Sequence, residues 1–148
     1  MRIVVDSNIA FSAILNTNSK IARIILQPKS RNNFYSTEQL LFEIKKHKRK
    51  LIEFTNCSEI ELDRIIILIT NKIRFINVKL IPAEAYQFAQ ALTKSVDIDD
   101  TEFVALTEHI KGKLWSGDKK LIQGLNHKGW KKFITTEELY IDANKKGK

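Results

Sequence analysis

The chain has 148 residues, the size of one ordinary domain, and its 43% hydrophobic residues with only two prolines and five glycines exclude a disordered or collagen-like class. Its single cysteine, Cys57, excludes an internal disulfide framework and a cysteine-based zinc cluster, points to a reducing compartment, and reads as a buried thiol. The 25 Lys and Arg residues against 17 Asp and Glu leave a formal charge of +8, which attracts polyanions and makes nucleic acid a candidate partner.

Residues 2–5 (RIVV) form a continuous apolar, β-branched run that suits a central strand buried on both faces. This run is too short for a signal-peptide core, and no apolar stretch approaches the roughly 20 residues that span a bilayer, so a cytoplasmic location without membrane contact is expected. Ile9, Ile14, Ile21, Ile24 and Ile25 then follow helical spacing, with a break near Asn16-Thr17-Asn18 and a stop before Pro28. Residues 33–37 (NFYST) predict a second strand leading into a helix with Leu40, Leu41 and Ile44 on its apolar stripe, and Ser36 with Gln39 has capping-box spacing.

A second capping box, Ser58 with Glu61, opens a helix that extends to about Arg74. INVKLIP (76–82) is expected to be the third strand, ended by Pro82, and residues 83–92 return to helix. The acidic stretch that begins at Val96 leads into another helix, with Asp99 as the expected cap and Glu102 as its partner. Strand, glycine-containing turn and helix follow over residues 112–125, and KKFIT and TTEELYIDA supply a last strand and helix. Strands alternating with helices imply a mainly parallel sheet of four or five short strands covered on both faces, a three-layer α/β/α architecture over residues 1–143 followed by a basic tail at 144–148.

In such a sheet ligands sit beyond the carboxyl ends of the strands, so the acids that fall there deserve the closest reading. Asp6 ends the first strand, Asp118 follows the strand that contains Trp115, Asp100 opens a helix at the same edge, and Glu43 borders the buried stripe of the helix after the second strand. Each of Asp97, Asp99, Asp100 and Asp118 also suits a plain capping role. Asp6 resists that explanation: after Arg2 no basic residue lies near it in sequence, and a carboxylate ending an apolar strand is costly to desolvate unless it is bonded, paired or bound to metal. Converging carboxylates repel, and a divalent cation relieves that repulsion; hard oxygen donors select Mg²⁺ or Mn²⁺.

The segments VVDSNIAFSAIL, LLFEIKKH, DIDDTEFVALT and LWSGDKKL, in this order and over almost the whole chain, resemble the landmarks of PIN-domain nucleases. The resemblance implies a PIN-like fold in which Asp6, Glu43, Asp100 and Asp118 form an acidic pocket for one or two Mg²⁺ or Mn²⁺ ions, with Ser7, Asn8 and Ser116 as supporting polar residues. Asp97 or Asp99 takes the place of Asp100 if the helix starts a turn away from the expected position. The family's reaction is metal-dependent hydrolysis of phosphodiester bonds in single-stranded nucleic acid, most often RNA. A small chain of this kind resembles the toxin of a toxin-antitoxin pair, which implies an antitoxin partner and a homodimer. A housekeeping RNA-processing nuclease has the same pocket, and a non-catalytic module that binds RNA or protein is the non-enzymatic alternative. The run Lys45, Lys46, Lys48, Arg49 and Lys50 after Glu43 is the expected RNA contact, with a solvated helix face as the plain alternative.

Other enzyme classes fit less well. An aspartyl phosphatase of the haloacid-dehalogenase type needs a second Asp two positions after the first, where this chain has Asn8. No glycine precedes Gly112, which excludes a glycine-rich phosphate loop after the first strand. His47, His109 and His127 lack the spacing of a zinc pair, and Trp115, inside an expected buried strand, reads as core.

Overall fold

The computed structural model describes residues 1–28 and 30–146. Five parallel strands, β1 (Arg2–Val5), β2 (Asn33–Thr37), β3 (Ile73–Ile76), β4 (Lys113–Trp115) and β5 (Phe133–Ile134), form one sheet in the order β3-β2-β1-β4-β5. Nine α-helices among the described residues flank it: α1 (Ser7–Leu15), α2 (Lys20–Leu26), α3 (Glu38–Lys46), α4 (Lys48–Thr55), α5 (Glu59–Thr70), α6 (Ala83–Thr93), α7 (Thr101–Ile110), α8 (Lys119–His127) and α9 (Thr136–Lys146). The result is the three-layer α/β/α arrangement that the alternation of strands and helices implies.

β1 is central because Ile3, Val4 and Val5 are fully buried, with β2 on one side and β4 on the other. Helix α7 packs on β1, β2 and β4, while α1 packs against α2, α3, α4 and α5. Trp115 belongs to the core, fully buried with its indole N–H donating to Thr136 Oγ1 at 3.0 Å. Cys57 is half-buried and packs against the core edge. No helix among the described residues is long and apolar enough to cross a membrane. Of the basic tail, residues 144–146 continue α9, and Gly147 and Lys148 lie outside the described residues.

The Ser58–Glu61 capping box forms as its spacing predicts, with both reciprocal hydrogen bonds present. Three local expectations are corrected. Ser36 does not cap α3: it is the fourth residue of β2, its hydroxyl donates across the sheet to the Val5 carbonyl at 2.9 Å, and Thr37 is the cap residue. The third strand is Ile73–Ile76, three residues ahead of its expected start. Asn77 Oδ1 accepts from the Lys79 amide at 2.9 Å and folds residues 78–80 into a 3₁₀ turn, a local bond that competes with strand pairing. Asp99 does not cap α7, because Asp97 first caps a 3₁₀ turn (Ile98–Asp100) by accepting from the Asp99 amide at 3.0 Å.

Candidate metal centre

With every strand pointing the same way, Asp6 after β1 and Ser116 to Asp118 after β4 emerge side by side at the carboxyl edge of the sheet. A cleft of about 490 Å³ opens there, lined by Asp6, Glu43, Asp97, Asp99, Asp100 and Asp118. Ser7, Asn8, Phe11, Gln39, Phe42, Lys46, His47 and Phe103 complete its wall. The four acids expected from the sequence thus share one cleft, and Ser7 and Asn8 border it. Ser116 lies just behind them, buried.

Each acid is held by the element that delivers it. Asp6, only 3% exposed, caps α1 by accepting from the Ile9 amide at 2.9 Å, and the Ser116 hydroxyl hydrogen-bonds to it. Asp118 caps α8, its Oδ1 accepting from the amides of Lys120 at 3.0 Å and Leu121 at 3.2 Å, while its own amide donates to Ser116 Oγ at 3.1 Å. Ser116 thereby ties Asp6 and Asp118 together. Glu43 is fixed one helical turn from Gln39, whose side-chain amide donates both to Glu43 Oε1 and to the Asp99 carbonyl, each at 2.9 Å. That fork clamps α3 to the acidic 3₁₀ turn.

Asp97, Asp100 and Asp118 place carboxylate oxygens within 4.8 Å of one another. Asp6 and Glu43 line the same cleft beside this trio. The sequence offered Asp97 only as a substitute for Asp100, whereas the structure brings both to one point. A 3₁₀ turn has three residues per turn, so positions i and i+3 eclipse, and Asp97 and Asp100 fall on one side while Asp99 is exposed. Gln39 was also hidden from sequence reasoning; the spacing of four residues to Glu43 was its signal, obscured by the rival pairing with Ser36.

The electrostatics record the crowding. Burial above all pushes the Asp6 carboxyl up to about 6, against the hydrogen bonds from Ser116 and the Ile9 amide, and the charges of Asp118 and Glu43 add to the rise. Asp100 is pushed up to about 8, by burial first and then by the charges of Asp97, Asp6 and Asp118 and a hydrogen bond with Asp97. The donor set fits a hard divalent cation: carboxylate oxygens of three acids converge, and the buried Ser7 Oγ at the cleft wall has no hydrogen-bond partner. The ring of His47, the imidazole nearest these acids, packs edge-on against Phe11 with centroids 5.7 Å apart.

The basic run is split by the structure. Lys45 and Lys46 end α3, the chain breaks at His47, and Lys48, Arg49 and Lys50 open α4. Lys46 alone of these lines the cleft, and Lys48 is engaged by Asp63 at 2.6 Å and Glu59 at 3.2 Å on α5.

A parallel α/β/α sheet whose carboxyl edge gathers acids from four separate segments has the architecture of a nuclease-type domain. The PIN domain family profile matches residues 4–143, and the chain belongs to that family. PIN domains generally use divalent metal ions, and the acidic trio fits that use. No curated protein matches the chain.

Proposed function

We propose that this chain is a Mg²⁺- or Mn²⁺-dependent endoribonuclease that hydrolyses phosphodiester bonds of single-stranded RNA. The observation that carries the reading is the convergence of Asp97, Asp100 and Asp118 within 4.8 Å, beside Asp6 and Glu43 in one open cleft. These residues hold one or two ions. A divalent ion bound there supplies positive charge to the scissile phosphate and acidity to water.

The rest of the work falls to the chain. Asp6, oriented by Ser116 and the Ile9 amide, lines the cleft beside the trio, and Gln39 fixes Glu43 at the cleft wall as a carboxylate able to take or give a proton. Asn8 and the free Ser7 hydroxyl supply neutral polar contacts. Lys46 offers a point charge to a phosphate at the cleft mouth, and Phe42, 67% exposed on the same wall, offers a ring face for a base. Lys45, Arg49 and Lys50 are exposed beside it and extend the electrostatic approach.

The resemblance of its ordered landmarks to those of small PIN-domain toxins supports assignment as the toxin of a toxin-antitoxin pair, with an antitoxin as partner and cytoplasmic residence. Exposed Ile60, Ile67 and Leu68 on α5 support association into a homodimer.

The direct experiment incubates the purified chain with a mixed single-stranded RNA pool and Mn²⁺, and separately with EDTA. Cleavage with the metal and none with EDTA is expected, whereas intact RNA in both lanes refutes the assignment. Among the basic residues, Lys46→Gln is expected to raise KM for RNA and lower the salt dependence of binding by about 0.7 in log-log slope, while Lys48→Gln, whose ammonium is already paired with Asp63 and Glu59, changes that slope little. Equal effects of the two substitutions on the slope would refute this division of roles.

A further inference from the structure

The opposite rim of the sheet has the opposite charge. The residues at or just before the first positions of the five strands are Arg2 for β1, Arg31 for β2, Lys72 for β3, Lys111 and Lys113 for β4, and Lys131 and Lys132 for β5. A groove of about 810 Å³ runs along part of this rim, lined by Arg2, Lys111, Lys113, Lys131 and Lys132 together with Met1, Asn33, Glu108 and Gly112. Among the described residues Glu108 is the single acid in that lining, and it is consumed locally: Lys132 Nζ lies 2.8 Å from one of its oxygens and the Trp130 indole N–H donates to the other at 2.9 Å.

Three details make this more than a solvated edge. The Leu114 amide donates to the Lys132 carbonyl and Leu114 pairs with Phe133, so Lys113 and Lys132 are neighbours on adjacent strands, and with Lys132 paired to Glu108 the Lys113 charge beside it is left for an incoming anion. Lys111 sits at the left-handed position that closes α7 (φ 55°), a backbone conformation that glycine or asparagine adopts at lower cost. Gly112 forms the floor between Arg2 and Lys113; a Cβ there would lie 2.6 Å from the Arg2 carbonyl oxygen, so the glycine lets β4 start close beside β1 and keeps the cations on the two strands together. Positive charge gathered in this way attracts an anion bound across the rim.

We infer that this amino-edge groove is a second contact site for the phosphate backbone of single-stranded RNA, separated from the acid cleft by the length of the strands. The inference rests on the nuclease reading for its choice of polyanion. Nucleic acid is favoured over an acidic protein because the groove offers point charges without aromatic anchors: Met1 is the one large apolar residue in its lining, and stable protein interfaces are centred on buried aromatic or apolar groups. With strands of two to five residues the two rims lie on the order of 15 Å apart, so a strand of RNA engaged at both wraps around one edge of the domain. Grip on the rim therefore favours long, unstructured RNA over short fragments.

The test is equilibrium binding of a long oligouridine, read by fluorescence anisotropy in EDTA over a series of salt concentrations. The intact chain is compared with Lys111→Gln/Lys113→Gln/Lys131→Gln and with a charge-matched control, Arg23→Gln/Arg64→Gln/Lys94→Gln, at exposed positions on α2, on α5 and at the end of α6. The rim variant is expected to bind roughly tenfold more weakly with its log-log salt slope reduced by about 2, and the control to change far less. Equal losses in the two variants mean that only net charge matters and overturn the proposal, as does no loss in either. Preferential capture of polyglutamate over oligouridine by the intact rim assigns the groove to an acidic protein and overturns it too. Because binding is read without metal, the outcome is independent of whether the acid cleft cuts RNA; absence of cleavage with retained rim binding counts against the nuclease reading alone.

Discussion

Asp118→Asn is expected to abolish metal-dependent RNA hydrolysis while leaving the fold as stable as that of the unaltered chain. The carboxylate is one of the converging trio, and on the proposed reading removal of its charge takes away a metal ligand, for which a loss of several kcal/mol of transition-state stabilisation, about a thousandfold or more, is expected. Its structural duty, by contrast, is to cap α8 through Oδ1, and an asparagine side-chain oxygen accepts the same amide hydrogen bonds from Lys120 and Leu121. Asp118→Ala separates the two duties, since it too is inactive but loses about 1 kcal/mol of stability with the cap. Activity assays beside urea denaturation check both. A fully active Asp118→Asn chain contradicts the site, and a strongly destabilised one shows that the charge is structural.

The second large effect is on stability against pH in the absence of divalent metal. Burial and neighbouring acids hold Asp6 at about 6 and Asp100 at about 8, both above the ordinary 3.8. Between about pH 4 and pH 8 the folded chain therefore binds more protons than the unfolded chain, and stability falls as pH rises through that window. Below it both states are protonated and these groups contribute no slope. Asp6 alone accounts for roughly 3 kcal/mol across its part of the window, and Asp100, more open to solvent, adds to it. A drop in Tm on the order of 10 °C from about pH 5 to about pH 8 in EDTA is expected by calorimetry. A Tm that is level or rises over that range contradicts the crowded, buried state of these carboxyls.

Much of this arrangement is legible in the sequence because it rests on strong local signals. The unbroken run Ile3-Val4-Val5 identifies a strand buried on both faces, and once β1 is central Asp6 must stand at its carboxyl end. Ser58 and Glu61 announce a helix start whose two bonds are both made. Other features depend on contacts between distant segments. Ser36 has the spacing of a cap, yet its hydroxyl satisfies the Val5 carbonyl, a partner that exists only after β1 and β2 pair. Asp97 joins the trio because residues 98–100 wind as a 3₁₀ turn instead of the first turn of an α-helix. The break at His47 hands Lys46 to the cleft and Lys48 to α5, although the two are only two residues apart. The basic amino edge is not legible in the sequence for the same reason: its lysines and arginines are scattered along the chain and meet only across strand boundaries.

The proposed nuclease chemistry requires that the gathered acids hold a divalent cation. Manganese titration of the folded chain by calorimetry, at about pH 8 where the empty cleft is most strained, tests it directly, with Asp97→Asn/Asp100→Asn/Asp118→Asn as the reference. Saturable binding of one or two ions to the unaltered chain is expected, accompanied by a rise in Tm that EDTA reverses, and neither in the reference. Binding of equal strength and stoichiometry in both proteins, or in neither, would contradict it.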